Sequence, residues 1–275
     1  MSAGVIDAHH HLVFPDRVPY PDLETHMPAI HRHIGPEQLA PLLADAGVTG
    51  TICVQATNHD DETALLLDLA ARIEWLLGVV GWVPLHDPDI TAKALDRHDD
   101  PALVGVRYLI HREPDPAWLS TPTVLASLQV LADRGLVYEL VALGKGHLDN
   151  LRAIIENVPE LTLVIDHLGG PNVRGGRWEP WASLMAEAAQ HPRCAVKLSG
   201  LDPVDSSVEP YRRYVEHVLE HFGPSRVMWA SNWPATRLGD GYRVMLDDAL
   251  ALLRPLSGDE LDAVLGANAR RVYGC

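Results

Sequence analysis

The sequence predicts an α/β chain closed into a distorted (β/α)8 barrel, and three observations carry that reading. Short Val/Ile-rich runs alternate with amphipathic segments along the whole length. The runs recur about every 32 residues, the size of one βα unit. A length of 275 residues suits one such barrel. The competing layout, an open doubly wound sheet, announces itself with a Gly-rich first turn, whereas here the first run is followed by Leu12-Val13-Phe14-Pro15. No linker or shift in composition splits the chain, so residues 1–275 read as a single domain.

Strand-like runs fall at 5–11 (VIDAHHH), 50–56 (GTICVQA), 77–83 (LGVVGWV) and 103–110 (LVGVRYLI), then at 135–142 (GLVYELVA), 161–169 (LTLVIDHLG), 193–200 (RCAVKLSG) and 226–234 (RVMWASNWP). Most are apolar on both parities, as strands buried on both faces are. Helical spacing fills the gaps in PEQLAPLLADAG, ETALLLDLAARIEWL, LDNLRAIIENV and GYRVMLDDALALL. Asp22, Ser120, Asp149 and Ser257 are candidate helix starts, and Gly47, Gly135 and Gly223 candidate stops. Residues 12–35 break the rhythm. This Pro- and His-rich stretch is too long for a minimal βα loop and is expected to act as a lid over the barrel mouth.

The net charge of −15, with no run of Lys or Arg, argues against a nucleic-acid partner. Three cysteines, Cys53, Cys194 and Cys275, form no C-x-x-C pair and no disulfide framework. The N-terminus lacks a basic segment followed by an apolar run, and no stretch reaches the roughly 18 apolar residues of a membrane span. A soluble, cytoplasmic protein with a small-molecule substrate is expected, with no membrane partner and with homo-oligomerisation left open.

The chemistry is expected at the strand ends. His9 and His11, at i and i+2, share one face of the first strand, and His10 takes the other. The sixth run ends in Asp166-His167 and supplies a third imidazole. A lone strand histidine is usually a hydrogen-bonded core residue; three converging on one barrel mouth suit a catalytic divalent metal, zinc above all, held by His9, His11 and His167 with one position open. His10, His31, His33, His86 and His98 read as solvated or packing residues. Gln55, Trp82, Arg107, Glu139, Lys197, Ser199 and Asn232 complete a polar ring around the mouth. Arg107 and Lys197 are candidates for an oxyanion or a substrate carboxylate, and Gln55 for a hydroxyl. A structural Arg107–Glu139 ion pair is the plainer alternative for those two. Trp82 and Trp233 suit packing first, although an aromatic wall fits a sugar ring.

The segments IDAHHH, TICVQATNHDDET, LLGVVGWVPL, LVGVRYLIHREPDPAWL, LVIDHLGGP, CAVKLSGL, RVMWASNWP and NARRVYG run in order from about residue 5 to residue 274. In them the chain resembles the amidohydrolase superfamily, specifically the amidohydrolase-2 group that contains sugar lactonases of the L-fuconolactonase type. The resemblance implies a distorted (β/α)8 barrel and a site built from His9, His11, His167 and the position after Ser231. It implies at most one metal, because the fourth run lacks the lysine that bridges two metals in other members, and relatives in the group include lactonases that work without one. Where the family usually reads Ser-Asp-Trp-Pro, this chain reads Ser231-Asn232-Trp233-Pro234. A carboxylate there would shuttle the proton of the attacking water; an amide cannot. Asn232 therefore implies an inactivated variant, a branch in which His167 or Glu139 is the base, or a protein that binds without turnover. The leading expectation is a carboxylic-ester hydrolase opening a sugar or sugar-acid lactone. The alternatives are a metal-dependent decarboxylase of the same superfamily and a non-catalytic ligand-binding relative.

Overall fold

The computed structural model describes residues 4–142, 145–204, 206–236 and 241–275; residues 1–3, part of the N-terminal segment read for a leader, lie outside them. Eight parallel strands follow one another around a single sheet in chain order. They are β1 Val5–His10, β2 Val48–Val54, β3 Leu76–Gly81 and β4 Leu103–Arg107, then β5 Val137–Leu140, β6 Thr162–Ile165, β7 Cys194–Leu198 and β8 Val227–Trp229. Each predicted run overlaps one of them, and β2 and β3 start two residues and one residue before their runs. The runs overshoot most at their carboxyl ends, where β6 stops at Ile165 rather than residue 169 and β8 at Trp229 rather than 234. There the backbone turns to positive φ at His167, Leu168 and Asn232, and an apolar composition alone does not separate a strand from a buried loop that follows it.

The helices are α1 Pro21–His26, α2 Pro36–Ala46, α3 Asp60–Ala70, α4 Pro88–Arg97, α5 Pro122–Asp133 and α6 Lys145–Leu148, followed by α7 Asn150–Asn157, α8 Trp181–Ala188, α9 Arg212–Phe222, α10 Tyr242–Leu252, α11 Gly258–Asp262 and α12 Asn268–Tyr273. In α9 the buried residues Tyr214, Val215, Val218 and Phe222 form one face, the i, i+4, i+8 stripe of a helix packed on a sheet. Gly47 and Gly223 sit at the carboxyl caps of α2 and α9, and Gly135 follows that of α5. Ser257 forms a capping box with Glu260. The other starts differ from expectation. Asp22 lies inside the first turn of α1, Asp149 sits at the cap of α7 without a capping bond, and Ser120 donates instead to Asn150 Oδ1 at 2.6 Å.

Barrel closure between β8 and β1 occurs beyond the end of β8. Asn232 N donates to His9 O and His11 N to Trp233 O, both at 2.8 Å. At the opposite end of this seam the turn at residues 263–267 presses on β1. A Cβ on Gly266 would lie 2.1 Å from Gly4 O, so no side chain fits. The barrel interior is filled by Ile6, Ile52, Val54, Val80, Val137, Val164 and Met228, and from the chain terminus by Tyr273.

Residues 12–35 are not structureless. Val13 and Ile34 exchange two backbone hydrogen bonds of 2.9 and 2.8 Å at the neck, α1 lies between, and Leu12, Val13, Tyr20 and Ile34 are buried. Among the described residues no helix is long and apolar enough to cross a membrane.

Candidate active site

The seam between β1 and β8 is clamped by Asp7. Its carboxylate accepts from Ser231 N (2.8 Å), Ser231 Oγ (2.6 Å), Tyr242 OH (2.8 Å) and His9 N (3.1 Å). Burial nonetheless raises its pKa. β1 carries Asp7 and His9 and leads into His11, so one element sets both the imidazoles and the backbone of residues 231–232; a register shift between Asp7 and His10 leaves Asp7 on the outer face, beside Tyr242 of α10. Asp7 was missed as a site residue in the sequence; its place in the Asp-x-His-x-His run was the available signal, although the register shift after it breaks the simple alternation with the two histidines.

His11 Nδ1–H donates to Val54 O at 2.7 Å, which leaves Nε2 as the lone-pair nitrogen. That atom lies 3.2 Å from His9 Nε2. His167 leaves the strand direction at φ 52°, and its ring centroid stands 4.7 Å from that of His9. Its Nδ1 is 2.8 Å from Ser199 Oγ. Gly200 makes room for it, since a Cβ there would stand 3.0 Å from His167 Cβ. His10 points the other way, to Thr51 Oγ1 at 2.9 Å, and is buried packing.

Beneath the imidazoles lies a buried charge network. Lys197 Nζ contacts Glu139 Oε1 (2.6 Å), Asp166 Oδ1 (3.3 Å) and His9 Nδ1 (3.1 Å). Arg107 Nη1 contacts Asp166 Oδ2 (3.1 Å) and His9 Nε2 (3.2 Å), while Nη2 donates to Gln55 O. Tyr273 OH donates to Glu139 Oε1 from below. The Arg107–Glu139 pair considered from the sequence is replaced by Arg107–Asp166 and Lys197–Glu139. The Cα atoms of Arg107 and Glu139 are register partners, but each head group finds its closest opposite charge on another strand. Two cations against two carboxylates leave the network neutral, which offsets the several kcal/mol that each buried ion costs.

Burial pushes His9 and His11 well below the usual imidazole range and His167 down to about 4. All three are therefore neutral at pH 7, with lone pairs available. Burial also lifts Glu139 to about 7. For Asp166 burial acts upwards too, but Lys197 and His9 outweigh it and hold the carboxyl well below its ordinary value.

A cavity of about 470 Å³ opens above this layer, lined deep down by His11, Arg107, His167 and Asn232. Val13, Leu23, Ile30, Leu109 and Val141 form apolar walls, and Asp22, His26, His111 and Asp202 add polar groups. The segment 12–35 thus contributes much of one wall. Asn232, at φ 56°, donates through Nδ2 to Thr236 Oγ1 at 3.0 Å. Of the other predicted site residues, His9, Lys197 and Glu139 are fully buried and belong to the layer underneath. Gln55 turns its amide to Arg107 O at 3.0 Å. Trp82 packs toward Tyr108, with ring centroids 6.0 Å apart, and is not among the cavity residues.

The donor set suits one divalent ion. The 3.2 Å between the Nε2 atoms of His9 and His11 is about the spacing of two ligands on a tetrahedral zinc. Ligating atoms of His9, Asp166 and His167 also lie within 4.8 Å of one another, so Asp166 joins the three imidazoles expected from the sequence.

Fold and site define a barrel enzyme with its chemistry at the carboxyl ends of the strands. The chain belongs to the amidohydrolase family, whose model matches residues 6–275. It is similar to an L-fucono-1,5-lactonase of Burkholderia ambifaria, at 36% identity over 86% of this chain and 82% of that protein. A 4-sulfomuconolactone hydrolase of Hydrogenophaga intermedia is 24% identical over 100% of this chain and 90% of its own length. A crystal structure of an amidohydrolase from Burkholderia multivorans with bound zinc superposes with a TM-score of 0.89 at 27% identity, covering 98% of this chain and 99% of that one.

Proposed function

We propose that this amidohydrolase opens a small lactone by adding water to the ring carbonyl, and that its substrate is a sugar or sugar-acid lactone. The similarity to two lactone hydrolases supports hydrolysis of a carboxylic ester. The observation that carries the reading is the cavity of about 470 Å³ with neutral His11 and His167, Arg107 and Asn232 at its deep end. That volume suits one small ring, and the groups beneath it are those a tetrahedral intermediate needs. Arg107 stabilises the developing oxyanion. Asn232, its Nδ2 tied to Thr236, presents Oδ1 to hold the water.

Water needs a proton acceptor, and an amide is none. Glu139 lies under His9, committed to Lys197 and Tyr273, and takes no part at the cavity surface. His167 is the remaining base. With Nδ1 as the donor to Ser199 Oγ, 2.8 Å away, Nε2 carries the lone pair that takes the proton of the attacking water. His167 then returns that proton to the ring oxygen as the C–O bond breaks. Lys197 acts as a positioning residue through His9.

A divalent ion held by His9, His11 and His167 would itself polarise the carbonyl and acidify water; the base role of His167 belongs to the metal-free site, where its lone pair is not engaged. The free thiols Cys53, Cys194 and Cys275 are in keeping with a reducing compartment, and we place the protein in the cytoplasm.

The test is acid release from a panel of aldonolactones by the natural chain, Asn232→Asp and His167→Asn. Turnover by the natural chain that disappears in folded His167→Asn supports the assignment; unchanged turnover overturns it. The substitution at 232 also favours a second reading, a binder without catalysis, which predicts saturable lactone binding and no turnover even after Asn232→Asp.

A further inference from the structure

On the outer helical layer, α9 carries His217, Glu220 and His221, whose potential ligand atoms lie within 4.8 Å of one another. The spacing i, i+3, i+4 places the three on adjoining turns of one helix face, and histidines at i and i+4 are the spacing of a helical metal chelate. The two rings have already met, with centroids 4.3 Å apart. Glu220 and His221 are exposed, so side-chain rotation can close the remaining distance to the roughly 3.4 Å that ligands on one zinc-sized ion adopt.

A second observation points to a ligand rather than a chance pair. His217 Nε2–H donates to Ala182 O of α8 at 2.9 Å. A backbone carbonyl on the far ring nitrogen is the outer-shell support that ligating histidines usually have. It fixes the tautomer in which Nδ1 carries the lone pair. Glu220 and His221 also lie in the last turn of α9, where the helix dipole favours a cation.

We propose that His217, Glu220 and His221 form a peripheral binding site for one transition-metal ion of the zinc, copper or nickel class. Two imidazoles and one carboxylate select such ions over magnesium or calcium, which take oxygen ligands. Through the bond from His217 to Ala182, an ion there also braces α8 against α9. The site is separate from the imidazole cluster of the barrel mouth and does not depend on the lactonase reading.

Trp178 supplies a local reporter, since its ring centroid stands 5.0 Å from that of His217. Cu2+ titrated into the full-length, chelator-treated protein is expected to quench tryptophan fluorescence in a saturable step. In His221→Gln that step should weaken by about tenfold or more, because losing a ligand costs at least as much as losing an outer-shell partner. Ni2+ should raise the Tm of the natural chain and not that of His221→Gln. Lactone turnover measured without added metal should be the same in both, which separates failure here from failure at the barrel mouth. Identical quenching and identical Ni2+ shifts in the two proteins would overturn the proposal.

Discussion

The Lys197 ammonium stands 2.6 Å from Glu139 Oε1 with both side chains fully buried, directly beneath the histidines that approach the cavity. The pair joins β5 to β7 and holds His9 from below through the 3.1 Å contact of Lys197 Nζ with His9 Nδ1. Lys197→Met would remove the cation that offsets the burial of Glu139 and Asp166. We expect a loss of about 3–5 kcal/mol in denaturant unfolding, largely recovered in the double variant Lys197→Met, Glu139→Leu. Equal losses in the single and double variants would show that the pair is not coupled.

Asp7 offers a cleaner separation of geometry from chemistry, because it touches no substrate. Asp7→Asn keeps the shape but replaces one acceptor oxygen by a donor, against Ser231 N, Ser231 Oγ and Tyr242 OH. A cost of about 1–3 kcal/mol in stability is expected, together with a fall in kcat as residues 231–232 shift against His9. Tyr242→Phe removes only one of the four donors and should cost about 0.5–1.5 kcal/mol. If Asp7→Asn left kcat intact, the clamp would have no bearing on the site.

At position 232 a carboxylate restores a proton carrier beside His167. Asn232→Asp adds a second carrier to His167 and is expected to raise kcat by about tenfold or more, short of the roughly 10²–10⁴-fold that a site without any base would gain, with little change in KM. Positive φ at this residue is well tolerated by Asn and Asp alike, so the exchange should fold normally. Rates that do not rise would show that a carboxylate at this position adds nothing to the proton transfer by His167.

Stability should depend on pH through Glu62. This carboxyl, on α3, accepts from Ala56 N and Thr57 N at 3.0–3.1 Å, and burial lifts it from 4.5 to about 7. The folded chain therefore keeps a proton that the unfolded chain releases above about 4.5. Its stabilising contribution is full below that value and is lost as pH rises through about 7, at up to about 1.4 kcal/mol per pH unit. Glu62→Gln should flatten this slope when unfolding is followed between pH 5 and 8. Parallel slopes in the two proteins would refute it.

What could be read in the chain alone was whatever depends on local periodicity. Alternating runs of strand and helix period, spaced about one βα unit apart, imply the barrel. A barrel in turn puts residues at the ends of those runs, such as His11, Arg107, His167 and Asn232, around one mouth. Depth around that mouth was not legible. Gln55, Trp82, Glu139 and Lys197 end strands just as Arg107 does, yet they lie beside or below the cavity, because strand stagger and the turn after each strand decide which tip reaches the opening. Ion-pair partners were equally hidden. Arg107 and Glu139 face each other in register, but the shortest contacts run to Asp166 and Lys197.

The sequence by itself determined the fold class, the family and the identity of the groups available for chemistry, since these follow from patterns that each strand or loop carries on its own. Only the tertiary structure decided how those groups are tied together. Asp7 clamps Ser231 across a seam 224 residues long in sequence, and Tyr273 reaches Glu139 from the end of the chain. Such contacts are set by barrel closure, which brings the first and last segments together in a way that no local pattern records.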